Sequence, residues 1–109
     1  GAQVLVYQSA TSTCQGTWAQ PQLASQAAVH AAEVGHPAVH TGLSGVSSAF
    51  DARGRQLAWH ASTERGAIVV DVPLGSHTTA YQRLGDWVWA LAFSILASVC
   101  VVATMRLRR

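Results

Sequence analysis

The sequence predicts an α/β unit, the last part of a larger sandwich, with one transmembrane helix behind it. Three features carry that prediction. A strand-like apolar run precedes an alanine-rich helical stretch and several short β-like runs. No Asp, Glu, His, Lys or Arg lies between Asp86 and Arg106. A strand–helix–hairpin–strand unit of this size also leaves its sheet edges unpaired and one face uncovered. The composition agrees: of 109 residues, 50% are apolar and 11% charged, less than half the ~25% typical of soluble domains. Seven arginines against five acidic residues leave a net charge of only +2, and the low charge argues against a disordered tail and against a nucleic-acid module.

Residues 3–8 (QVLVYQ) combine β-branched and aromatic side chains in a short apolar run, the pattern of a buried strand. The polar stretch 9–20 that follows reads as a loop, and loops of that length inside compact domains are commonly functional. Pro21 is expected to open a helix, where its missing N–H has no cost. Leu23, Ala27, His30, Ala31 and Val34 fall on one face of that helix. Gly35 is placed to end it and Pro37 to prevent its continuation. Residues 38–41 and 45–51 read as strands. Asp51-Ala52-Arg53-Gly54 reads as a turn into a further strand at 56–60, giving a β-hairpin. A last strand is expected at 67–72 (AIVVDV), closed by Pro73, before a polar connector at 74–86. The chain opens directly on strand-like residues and is expected to be a fragment or cleaved piece.

Residues 87–105 (WVWALAFSILASVCVVATM) run without a charge, glycine or proline. A helix of that length spans the ~30 Å hydrocarbon core of a bilayer. Trp87 and Trp89 lie at one edge, where indole rings favour the headgroup layer. Arg106, Arg108 and Arg109 lie at the other, and the positive-inside rule assigns that end to the cytoplasm. Residues 1–86 are then outside the cytoplasmic membrane, with 106–109 as a cytoplasmic basic tail. A domain this small cannot wrap a helix that is apolar all round, so a buried core helix is the weaker alternative. Cys14 and Cys100 fall in a polar loop and deep in the span, and are not expected to pair.

The residues restrict the chemistry. The chain has no lysine, so no mechanism needing an ammonium group runs on it alone. Cys14 has neither base nor cation beside it in sequence and reads as an ordinary loop cysteine. His36 and His40 are four apart, but Pro37 breaks any helix that would align them. With no H-E-x-x-H motif, no metal site is expected. His30 and Glu33 at i, i+3 read as an orienting polar contact. Ser, His and Asp are all present, yet Gly42-Leu43-Ser44-Gly45 is too short to be a nucleophile elbow. No cofactor is implied.

Several segments carry a resemblance in fixed order. They are Glu33-x-Gly35-His36-Pro37, the run from His40 through Gly42-Leu43-Ser44-Gly45-Val46 to Ser47, Asp51-Ala52-Arg53-Gly54, Val72-Pro73-Leu74, and Tyr81-Gln82-Arg83-Leu84-Gly85-Asp86-Trp87 ahead of the apolar run. The set resembles the C-terminal part of the apolipoprotein N-acyltransferases, membrane members of the carbon–nitrogen hydrolase (nitrilase-like) superfamily. The resemblance implies an αββα sandwich outside the membrane, of which residues 1–73 are a partial domain, with a final helix returning to the cytoplasm. It implies transfer of a fatty acyl chain from a phospholipid donor to the N-terminal S-diacylglyceryl-cysteine of a lipoprotein.

The family's glutamate, lysine and nucleophilic cysteine lie upstream of the matched segment, so no catalytic residue is assigned here and the chain alone is expected to be inactive. Its pocket loop corresponds to residues 9–18, which makes Ser9, Thr11 and Trp18 the candidate pocket residues. Asn-Asp or Asn-Asn and aromatic-Gly steps of that loop are replaced here by Ala10-Thr11 and Cys14-Gln15-Gly16. Trp18 reads first as packing over the sheet edge and second as a wall of the acyl or lipopeptide pocket, and Arg83 as a solvated arginine or a partner for a lipid phosphate. The alternative is a non-catalytic membrane-anchored module of the same fold, scaffolding a partner such as a polyprenyl-lipid glycosyltransferase.

Overall fold

A computed structural model describes residues 1–107. Its elements are β1 (Leu5–Ala10), a 3-10 turn (Ser12–Cys14), α1 (Ala19–Val34), β2 (Ala38–Leu43), β3 (Ser47–Phe50), β4 (Gln56–His60), α2 (Ala80–Leu84) and α3 (Trp87–Leu107). The four strands form one mixed sheet in the order β1-β2-β3-β4. β1 and β2 run parallel in register from Leu5↔Ala38 to Ala10↔Leu43, with α1 as their crossover. β2, β3 and β4 then pair antiparallel, with a bulge between Ala49 and Phe50. The expected α/β class and the single long apolar C-terminal helix are both present.

Alanine sets how α1 meets the sheet. Ala27, Ala31, Ala38 and Phe50 form the core, with Leu5, Tyr7, Ala28 and Trp59 packed around it. Methyl side chains let the helix axis approach the sheet closely, and Ala24 and Ala31 are fully buried. The inward face is Gln20, Ala24, Ala27 and Ala31, not the expected stripe of Leu23, Ala27, His30, Ala31 and Val34. The two sets share Ala27 and Ala31, and at 100° per residue the buried face is centred roughly 45° from the expected one, which leaves Leu23 38% exposed. The cause is Gln20, whose buried amide holds the first turn against the ends of β1 and β2.

Other boundaries move for physical reasons. β1 begins at Leu5, two residues later than its apolar run, because pairing with β2 starts where the Leu5 amide donates to Pro37 O at 2.9 Å. Ser9 therefore lies in a strand, not in a loop. α1 begins at Ala19, so Pro21 is its third residue, a position whose amide has no intrahelical acceptor in any case. Residues 67–72 form no strand. A strand needs a neighbour for its backbone groups, and the described sheet stops at β4, leaving Val69 99% exposed. The connector is not wholly irregular, since α2 forms within it. Thr79 caps α2 through a reciprocal box with Gln82, a Thr-x-x-Gln spacing that was readable in the sequence.

Gly35 ends α1 as expected, in the left-handed conformation (φ 65°). Its amide and that of His36 both reach Ala31 O. Three carbonyls at this end are taken by the connector: Thr79 Oγ1 donates to Glu33 O, Gln82 Nε2 to Val34 O at 2.8 Å, and His77 N to Gly35 O at 3.1 Å. A side chain at position 35 would also collide with the connector, because a Cβ there would lie 2.0 Å from His77 O. The hairpin turn forms as expected. Asp51 Oδ1 accepts from the amides of Arg53 (2.8 Å) and Arg55 (2.9 Å). The Arg55 amide is foremost in holding this carboxyl below the ordinary aspartate range, against a smaller opposing effect of desolvation.

Candidate functional site

In parallel sheets the crevice beyond the carboxyl ends of the strands is where ligands bind, because side chains and loops diverge there. Here that region is the end of β1 and β2. A recess of ≈ 540 Å³ is lined by Gln8, Ser9, Ala10, Thr41, Gly42 and Leu43. A second, of ≈ 190 Å³, opens between the sheet and α1, bordered by Tyr7, Leu23, His30 and His40. Ser9 lines both.

The Ser9 hydroxyl lies 2.9 Å from His40 Nε2. Strand alternation aims both inward: His40 is in register with Tyr7 and, across the sheet, with Ser48. His40 is 5% and Ser48 3% exposed. His40 Nδ1 and Ser48 Oγ are buried without a protein hydrogen-bond partner, an arrangement that typically costs about 1–3 kcal/mol per group. Sequence reasoning weighed His40 only with His36 as a metal pair and not as the partner of a serine. Its two-residue spacing from Ala38 places it on the core face, but nothing local pairs it with a serine 31 positions away. His30, expected to contact Glu33, does so at 3.0 Å, and its ring stacks on Tyr7 with centroids 5.8 Å apart.

The other two candidate pocket residues do not join Ser9. Thr11 is buried, and its carbonyl and hydroxyl oxygens both accept from Gln20 Nε2 at 3.2 Å. The same Gln20 nitrogen donates to Ser44 O at 2.8 Å. Gly45 is forced by this cluster, since a Cβ on it would sit 2.3 Å from Thr11 Oγ1. Thr11 therefore ties the loop to the first turn of α1. Trp18 stands just ahead of α1 and is 76% exposed. Neither residue lines the two recesses around Ser9.

On the far side of the Gly42–Ser47 bend, a recess of ≈ 320 Å³ holds His60, Glu64 and Arg65. His60 Nδ1 lies 2.8 Å from Glu64, and this hydrogen bond is the main cause holding the Glu64 carboxyl below its ordinary range. Among the described residues, no group of three or more His, Cys, Asp or Glu is gathered to hold a metal ion. Cys14 and Cys100 are both free thiols.

α3 extends the expected span by two residues, to Leu107, and buries none of them against the rest of the described chain. Its 21 residues make a helix about 31 Å long. Ser94, Ser98 and Thr104 each donate to a carbonyl one turn back, Ala90 O, Ser94 O and Cys100 O, at 2.8, 2.8 and 3.0 Å. Trp87 and Trp89 are exposed at its start and Arg106 stands in its last turn. Arg108 and Arg109, the other expected anchors, lie outside the described residues.

Comparison with family models, curated proteins and solved structures returns no match.

Proposed function

We propose that this chain is the C-terminal part of a membrane-bound N-acyltransferase of the nitrilase-like superfamily, acting in lipoprotein maturation. In this reading it supplies sheet strands, one wall of the acyl pocket and the last membrane anchor. The reacting glutamate, lysine and cysteine belong to the preceding part of the protein. The phospholipid donor and the lipoprotein N-terminus are its partners through the whole enzyme.

The observation that carries the reading is a sheet clothed on one face only and tied to a lone apolar helix. α1 covers the side bearing Leu5, Tyr7 and Ala38. The opposite side bears Val6 and Leu43, 60% and 75% exposed, and a second sheet in an αββα sandwich would cover it. The internally bonded hydroxyls of α3 suit hydrocarbon, where an unsatisfied polar group is costly. α3 is accordingly read as crossing the cell membrane, with residues 1–86 extracytoplasmic and Arg106 toward the cytoplasm.

Two experiments test this. The full-length protein, supplied with phospholipid and a diacylglyceryl-cysteine lipopeptide, is expected to yield the N-acylated peptide. An intact upstream triad with no such product would overturn the assignment. Leu96→Arg in mid-span is expected to release the chain into the carbonate-soluble fraction, since a central arginine costs about 3 kcal/mol of insertion. Unchanged membrane retention would contradict the span.

A second reading, a non-catalytic scaffold for a partner such as a polyprenyl-lipid glycosyltransferase, is favoured by one observation. Ser9 and Thr11 spend their hydrogen bonds inside the fold, on His40 and Gln20. Acylation by the full-length protein would exclude it.

A further inference from the structure

α2 is fixed by one side. Thr79 and Gln82 bind it to the end of α1. At about 100° per residue, a helix with Gln82 facing α1 turns Ala80 and Leu84 directly away and puts Tyr81 and Arg83 on its two flanks. Leu84 is 60% and Tyr81 50% exposed. The apolar side therefore faces away from the one element that holds α2.

The chain itself limits what covers that side. Only Gly85 and Asp86 separate Leu84 from Trp87, the first residue of α3. Three residue steps reach at most about 11 Å. Each headgroup layer of a bilayer is roughly 5–8 Å thick outside its ~30 Å core. With Trp87 at the hydrocarbon boundary, Leu84 cannot leave the neighbourhood of that layer. Arg83, in the last turn of α2, carries the charge that complements a phosphate there.

We propose that α2 is a second membrane contact, lying in the headgroup layer of the leaflet that α3 enters, with Leu84 and Tyr81 against the acyl boundary and Arg83 on a lipid phosphate. The proposal rests on the reading of α3 as a span. Because α2 is hydrogen-bonded to α1, this contact orients the α/β unit on the bilayer as well as anchoring it, with the C-terminal end of α1 nearest the lipid.

The test uses nitroxide labels on the full chain in vesicles of phosphatidylethanolamine and phosphatidylglycerol. Cys14→Ser leaves Cys100 as the label site in mid-span. Adding Cys100→Ser with Leu84→Cys moves the label to α2, and with Thr63→Cys to an exposed turn. The Cys100 label is expected to meet oxygen and exclude a water-soluble nickel chelate. Nickel collisions at Leu84→Cys are expected to be about threefold fewer than at Thr63→Cys, and Arg83→Glu should raise them. Nickel access at Leu84→Cys equal to that at Thr63→Cys, with Cys100 still shielded, would overturn the headgroup contact and leave the span standing. A Cys100 label as open to nickel as Thr63→Cys would overturn the span reading, and the proposal with it.

Discussion

Gln82 reaches Val34, 48 positions earlier, with a 2.8 Å hydrogen bond from Nε2 to the backbone carbonyl, while its Oε1 accepts from the Thr79 amide at 3.1 Å. One side chain thus closes the start of α2 and the end of α1 together. Gln82→Glu separates the two roles, because a carboxylate still accepts from Thr79 but cannot donate to Val34. The expected result is faster tryptic cleavage at Arg83 with α2's cap intact, at a stability cost of about 1 kcal/mol. An unchanged cleavage rate would show that the tie to α1 contributes nothing.

Gly35 bears both a left-handed backbone and the closest approach of the connector. Gly35→Ala should cost about 2 kcal/mol or more, combining the penalty of φ 65° with displacement of His77. Denaturant unfolding of the full chain in detergent checks this. A loss below about 0.5 kcal/mol would mean that the connector does not dock as described.

The two serines beside His40, Ser9 half-buried and Ser48 buried, differ in sign. Ser9→Ala removes the hydroxyl bonded to His40 and should cost about 1 kcal/mol. Ser48→Ala removes a buried hydroxyl that has no protein partner, and should be neutral or slightly stabilising. Paired unfolding curves decide this. If Ser48→Ala were the more damaging, the Ser48 hydroxyl would have to be making a bond.

Asp51 gives a pH dependence of defined direction. Its carboxyl is held below the ordinary value of 3.8 in the folded chain, so below that value the unfolded state binds the proton more readily. The turn's stabilisation is complete above pH 3.8 and is lost as pH falls through the lower folded value. Exchange protection of the Arg53 and Arg55 amides should fall over that acid range. In Asp51→Asn, protection at these two amides should not follow pH in this way.

Local signals carried much of the fold. The Gly35 stop, the Asp51–Gly54 turn, the crossover order of strand and helix, and the uncharged run of α3 depend on neighbours within a few residues, where the preferences of single side chains decide the backbone. Residues 67–72 show where such signals fail, since their composition suits a strand but a strand also requires a partner. The site was less legible. Ser9, Thr11 and Trp18 were grouped as one loop, whereas Ser9 lies in β1 beside a recess, Thr11 is bonded to Gln20 and Trp18 stands exposed ahead of α1.

The sequence by itself therefore determined β1 to β4 and α1 in their order and the long apolar helix α3, because periodicity, caps and missing charge act at short range. Only the tertiary structure decided which face of α1 is buried, that His40 meets Ser9, and that α2 is bound to the end of α1. Those outcomes join residues dozens of positions apart, and they follow from strand register and from the donors left over when each helix ends.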